Sequence, residues 1–348
     1  MRKPWRRVAA LAAVVIVLGG AWLISNAYPF TGQGPMVVIR VNPGESVSKL
    51  ANQLAADKVI GSPLAFRLDT MVFGSPILTP GYFQIPQNSS FDTVRSVFNG
   101  SPNAEAIDLT AGLTLHELAG QVAQAAGTAF ADSFTSATKA AYSSPSNPWF
   151  QGGDVRPAWS SSNPYENPME GLLGTGYYII KPGETPSELV TAMEARFVTQ
   201  AAAAGIHPGV VAHGLTPYEQ VIAASIVEKE GYYPVNMPKT ARVILNRLDK
   251  NMLLRMDSTV LYALGQDGGR VTTSMLRIDS RYNTYLYRGL TPTPICAVSS
   301  FAMNAISSPP PGEWLYFTLV SKDGTMAFSN TFAEQLANER LAASRGIL

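Results

Sequence analysis

Residues 215–231 read Leu215-Thr216-Pro217-Tyr218-Glu219-Gln220-Val221-Ile222-Ala223-Ala224-Ser225-Ile226-Val227-Glu228-Lys229-Glu230-Gly231. Thr216 is placed to cap a helix, Pro217 suits its first position, and Glu219 completes a capping box. The apolar run that follows predicts a helix ending at Gly231. Glu228 and Glu230 are two positions apart, so their side chains leave nearly opposite faces and cannot act as one catalytic pair. The C-terminal end of a helix disfavours negative charge, and partial burial acts in the same direction. Both favour a protonated Glu228, the form that can protonate a glycosidic oxygen. Ser225, one turn back, could orient it. A solvated pair of charged residues at a helix end is the plainer alternative.

Downstream, Pro238 opens a second helix through Val243, Ile244 and Leu248. Residues 314–320 read as a strand, and Asp323-Gly324 turns it into Met326-Ala327-Phe328. A helical region is expected from about Ala201 onward. Upstream, one local pattern recurs: a strand, a turn residue, a Ser or Thr cap, and an apolar residue four positions on. It occurs at Val37–Val41 with Ser46 and Leu50, and at Tyr82–Ile85 with Ser90 and Val94. It returns at Ile107–Leu109 with Thr114 and Leu118, and at Tyr178–Ile180 with Thr185 and Leu189. The unequal spacing excludes a solenoid and suggests small α+β modules. Between 128 and 168 the Ser/Pro-rich texture, with Trp149, Phe150, Trp159 and Tyr165, reads as a loop insert. Those rings could stack on sugars or pin the loop to the core.

The chain has 348 residues, 46% hydrophobic and 15% charged, enough for two or three domains. A net charge of +1 gives no reason to expect a nucleic-acid partner. One cysteine, Cys296, excludes an internal disulfide. His116, His207 and His213 lack ligand spacing, so neither a metal nor a cofactor is expected. Arg2, Lys3, Arg6 and Arg7 precede an apolar run from Val8 to Ile24, about 17 residues, the lower end of a membrane span. The basic flank holds the N-terminus in the cytoplasm and the rest outside. Trp22 suits the outer interface. A signal peptide cleaved near Ser25-Asn26-Ala27 is the competing reading.

The Glu228 stretch resembles the catalytic helix of the endolytic murein transglycosylase (YceG-like) family. Further blocks resemble that family in the same order. They are Glu170-Gly171-Leu172-Leu173, Val243–Leu248 with its Asn246-Arg247-Leu248, Asp257–Tyr262, Ser280–Tyr285 and Gly289–Ile295. The resemblance implies an α+β fold: an N-terminal transmembrane helix, LysM-like modules, then a mixed α+β catalytic domain. The expected limits are 1–28 for the basic tail and anchor and 29–36 for a linker. A LysM-like region at 37–104 follows, then a second α+β region at 105–200 with the 128–168 insert, and a catalytic domain at 201–348.

The resemblance further implies cleavage of the MurNAc–GlcNAc bond in nascent, uncrosslinked peptidoglycan, with Glu228 catalytic. Glu170, Ser225, Asn246, Asp257, Thr259, Tyr282, Asn283 and Tyr285 are candidate substrate-binding residues. Any of them could be structural instead, Asp257 as a cap and Asn283 as the fix of a turn. Expected partners are glycan strands, the cytoplasmic membrane and the peptidoglycan polymerases, with the C-terminal domain extracytoplasmic. Two alternatives are a non-catalytic peptidoglycan-binding scaffold and a hydrolase using Asp257 as second carboxylate. The family pattern is broken at Arg255, Ser258, Met326, Gln335, Leu173–Tyr177 and Cys296–Ser300.

Overall fold

The computed structural model describes residues 17–29, 32–104, 106–143, 147, 149, 167–180, 183–231 and 233–347. In it the four Ser/Thr caps do what their positions predict. Ser46, Ser90, Thr114 and Thr185 each accept a hydrogen bond from the backbone N–H three residues on, and each starts a helix. Thr114 and Thr185 add the reciprocal glutamate of a capping box.

The copies work in pairs. Residues 17–27 are helical (α1). Strand β1 (Met36–Val41) is followed by α2 (Val47–Ala56), α3 (Pro63–Phe73), β2 (Gly81–Pro86) and α4 (Phe91–Asn99). β1 and β2 are antiparallel, with Ile39 opposite Phe83 and Val37 opposite Ile85. The same order returns as β3 (Ala106–Leu109), α5 (Leu115–Ala126), α6 (Thr128–Ser143), β4 (Gly176–Ile179) and α7 (Pro186–Ala203), with β3 beside β4. The chain thus carries two β-α-α-β-α arrangements in an α+β fold.

This order corrects the loop expected from residue 128. Residues 128–143 are a helix, the counterpart of α3, that buries Ala131, Phe134 and Thr138 on one face. Ser and Thr are interspersed among its other positions and disguise the apolar spacing. Trp149 is buried and packs on Phe197, their ring centres 5.0 Å apart, so it pins the chain to the core. Phe150, Trp159 and Tyr165 lie outside the described residues. The helical region expected from Ala201 is in fact the end of α7, and the next helix starts at Pro217.

Two compact units result, residues 1–106 and 107–348. The first encloses its own core of Ile39, Leu50, Leu54, Phe66, Phe83 and Phe98. The second continues through α8 (Pro217–Glu230), α9 (Met237–Asp249), α10 (Asp257–Ala263) and α11 (Ser300–Ser307) to the β5 (Tyr316–Leu319), β6 (Met326–Ser329) hairpin and α12 (Phe332–Ser344). Its core is continuous, from Leu118 and Phe197 through Val221 and Ala224 to Ile306. Residues 107–200 and 201–348 therefore share one core. The helix α8 runs through it, with residues 217, 218 and 220–227 all buried.

The β5–β6 hairpin turns at Gly324, whose φ is +90°. Arg2 to Ile16, most of the expected anchor, lie outside the described residues. Among the described residues no helix is long and apolar enough to cross a membrane.

Candidate active site

The expected helix is present, capped by Thr216 with Glu219 and closed at Gly231. Its buried length ends at Val227, and Glu228 is the first side chain after it that is only partly buried. A segment from Thr293 to Ser299 crosses this helix. Ser225 Oγ accepts from the Ile295 N–H at 3.0 Å, and the Cys296 thiol donates to the Ser225 carbonyl at 3.4 Å. Ala297 is held by two backbone bonds to residues 112 and 113.

So pinned, the segment delivers Ser299 to Glu228. The Ser299 N–H and hydroxyl both donate to Glu228 Oε2, at 2.9 and 2.5 Å. Ser299 is also the N-cap of α11, its Oγ accepting from the Ala302 N–H. The carboxylate therefore meets a helix N-terminus and takes up one of its unsatisfied N–H donors. Glu228 Oε1 carries no hydrogen bond among the described residues and is not a buried atom. One oxygen is fixed and the other is open.

The neighbouring acidic residues are committed elsewhere. Glu230 Oε1 accepts from the Ser258 N–H and hydroxyl at 3.2 and 2.7 Å, capping α10 in place of a side chain from Met256. Burial pushes the Glu230 carboxyl up, and the Ser258 donors oppose that. Lys229 pairs with Asp267 at 2.5 Å. Asp257 is exposed and accepts from the Tyr285 hydroxyl at 2.5 Å. Burial, then that bond, drives the Tyr285 phenol far above its ordinary value.

Of the predicted binding residues, Asp257, Tyr285 and Asn246 reach the surface. Asn246 spends its amide on the carbonyls of Gly312 and Trp314. Five others are buried and hydrogen-bonded within the protein. Glu170 is 1% exposed and accepts from the Leu115 N–H and the Tyr262 hydroxyl. Desolvation pushes its carboxyl up to about 8 against those donors. Gly171 explains the Glu-Gly pair: φ is +72°, and a Cβ there would meet Pro294 Cβ at 2.6 Å.

Ser225 bonds the 295 backbone and the Ile222 carbonyl rather than Glu228. Thr259 binds the Met256 carbonyl and Thr284, and Tyr282 shares a hydrogen bond with Thr293. Asn283 fixes its turn through Leu276, Ile278 and Tyr285.

Ser299 was not a candidate from the sequence. The available signal was its capping position before Phe301 and Met303, but nothing local pairs it with a residue 71 positions away.

The YceG-like family model matches residues 39–341. The chain belongs to the YceG-like family. Relatives include the endolytic murein transglycosylase of Bacillus subtilis (strain 168), 26% identical over 95% of this chain and 92% of that protein. That of Streptococcus pneumoniae serotype 2 (strain D39) is 25% identical over 84% of this chain, which spans 56% of its length. A crystal structure of a YceG-like protein from Listeria monocytogenes superposes with a TM-score of 0.59. It is 25% identical, over 87% of this chain and 99% of that one. Among the described residues no three His, Cys, Asp or Glu side chains cluster as a metal site.

Proposed function

We propose that this YceG-like chain is a peptidoglycan lytic transglycosylase with Glu228 as its single acid/base. The observation that carries the reading is the asymmetry of that carboxylate: Oε2 held by both donors of Ser299, Oε1 unbonded. The names of the relatives support the substrate class.

The bond cleaved is the one from MurNAc C1 to GlcNAc O4 within nascent, uncrosslinked strands. The Glu228 carboxyl gives its proton to the departing O4 as the C1–O4 bond breaks. The muramyl 6-hydroxyl attacks C1, forms the C1–O6 bond and returns its proton to Glu228. The product is a 1,6-anhydro-MurNAc end, and no water is consumed. An ordinary glycosidase needs a second carboxylate to activate water or to form a covalent intermediate. Glu230 is bound to Ser258 and Asp257 to Tyr285, which fits a reaction whose nucleophile belongs to the substrate.

Around this chemistry we place a LysM-like glycan-holding role for residues 37–104. We also place an N-terminal single-pass anchor that leaves residues after 28 outside the cytoplasmic membrane, and partnership with the polymerases that make the strand. The basic flank and apolar run of residues 2–24 support the anchor.

The test is digestion of uncrosslinked strands by the full chain in detergent, with products read by mass. Anhydro-muramyl ends that vanish in Glu228→Gln are expected. Reducing muramic-acid ends would point to a hydrolase instead, and binding without any product to a scaffold.

A further inference from the structure

A groove of about 410 Å³ opens in the second unit where α9 ends, beside β5 and the start of α12. Three guanidinium groups line it, those of Arg247, Arg255 and Arg288, and no carboxylate does. In a chain of net charge +1 this is a local concentration of positive charge. None of the three makes an ion pair among the described residues.

Arg247 is only 8% exposed. Its Nε donates to the Leu315 carbonyl at 2.6 Å and its Nη1 to that of Leu254, and its guanidinium lies 5.4 Å from the Tyr316 ring centre. Burial pulls its proton affinity down; Tyr316, Tyr285 and Glu230 oppose that, and Arg255 adds to it. Arg288 donates to the Asn251 carbonyl. Arg255 is exposed, held at φ +51°, and its side chain has no hydrogen-bond partner among the described residues.

Three like charges gathered around one groove without a direct ion pair repel one another, and a half-enclosed site weakens the solvent screening that would relieve them. An anion in the groove removes that cost. Guanidinium forks match carboxylates in paired, planar contacts. The remaining walls include Met252, Tyr316 and Phe332, which suit small apolar groups beside the charge.

One rim of the groove is tied to the last turn of α8. Arg255 is two residues ahead of Asp257, and the next residue, Ser258, is bonded to Glu230 on α8. Resting on the peptidoglycan reading above, we infer that this groove binds the carboxylates of the stem peptide carried by the glycan strand. It would make the enzyme a reader of peptide-bearing strands as well as of sugar.

The experiment compares uncrosslinked strands bearing free stem-peptide carboxylates with the same strands after carbodiimide coupling to methylamine, which makes those groups neutral amides. Binding of both is measured with the full-length Glu228→Gln chain, which holds strands without cutting them. A preference of about tenfold for the free carboxylates is expected, shrinking as salt is added. It should fall to about one when Arg255→Gln and Arg288→Gln are added. Both positions are exposed, so folding is checked simply by an unchanged melting temperature.

Equal binding of the two strands, or a preference that survives the double substitution, overturns the inference. Wild-type digestion of the same strands separates the two readings. Anhydro ends without a charge preference sink this inference alone. A preference without anhydro ends leaves it standing and sinks the catalytic assignment.

Discussion

Glu170 and Glu228 belong to the same unit, and each places its carboxylate against the first backbone N–H groups of a helix from elsewhere in the chain. Glu170 meets Leu115 at the start of α5, and Glu228 meets Ser299 at the start of α11. Glu230 repeats the device at Ser258 of α10. Each exploits the uncompensated donors and partial positive charge of a helix N-terminus. The difference lies in the far side of the carboxylate. Glu170 is buried, with the Tyr262 hydroxyl on Oε2. Glu228 keeps Oε1 open. The same local chemistry therefore fastens the fold in one place and prepares a reacting group in the other.

The comparison breaks most sharply at Glu228. Glu228→Gln keeps an acceptor for Ser299 but has no proton to give, so activity should fall about 10³-fold with little change in melting temperature. A comparable loss of stability would move Glu228 to the structural side of the comparison.

Glu170→Ala should do the reverse. It strands the Leu115 N–H in a buried site and leaves a cavity where the carboxyl was, a loss of about 3 kcal/mol by denaturant titration. An unchanged midpoint would mean that the pocket refills without cost.

Ser299 tests what holds the open carboxylate. Ser299→Ala keeps the backbone N–H but removes the hydroxyl donor, and about a tenfold fall in kcat is expected, rescued by Ser299→Thr. A loss confined to stability, about 1 kcal/mol from the missing cap, would leave Ser299 a cap only.

The last test is a pH dependence at Glu170. Its folded value, about 8, lies above the usual carboxylate range. Between that range and pH 8 the folded state keeps a proton that the unfolded state has released, so this group makes stability fall as pH rises. Glu170→Gln should remove that slope, and the gap between its melting temperature and that of the wild type should widen from pH 5 to 8. Parallel curves would show that Glu170 is already ionised in the fold.

Much of this organisation was legible locally. Thr216, Pro217 and Glu219 mark the start of α8, and Ser46, Ser90, Thr114 and Thr185 mark four others, because a cap is satisfied within three residues of itself. The resemblance around Glu228 led to the family. Residues 128–143 were misread because Ser and Thr conceal the spacing of Ala131, Phe134 and Thr138, and propensity is a weak guide once packing decides. The candidate binding residues pose a different problem. Thr259, Tyr282 and Asn283 have the polar groups a sugar site needs, but a buried polar group needs internal partners just as much, and sequence does not separate the two.

By itself, then, the sequence determined the capped helices, the recurring strand-and-helix pattern and the carboxylate at the end of α8. These depend on contacts within a few residues. Only the tertiary structure decided which carboxylate stays open. Ser225 pins residues 295–299 across α8, Ser299 arrives from 71 positions away to hold one oxygen of Glu228, and Ser258 occupies Glu230. It also gathered Arg247, Arg255 and Arg288 around one groove. Such choices depend on which distant donors packing brings to a given oxygen, information that no short window of residues contains.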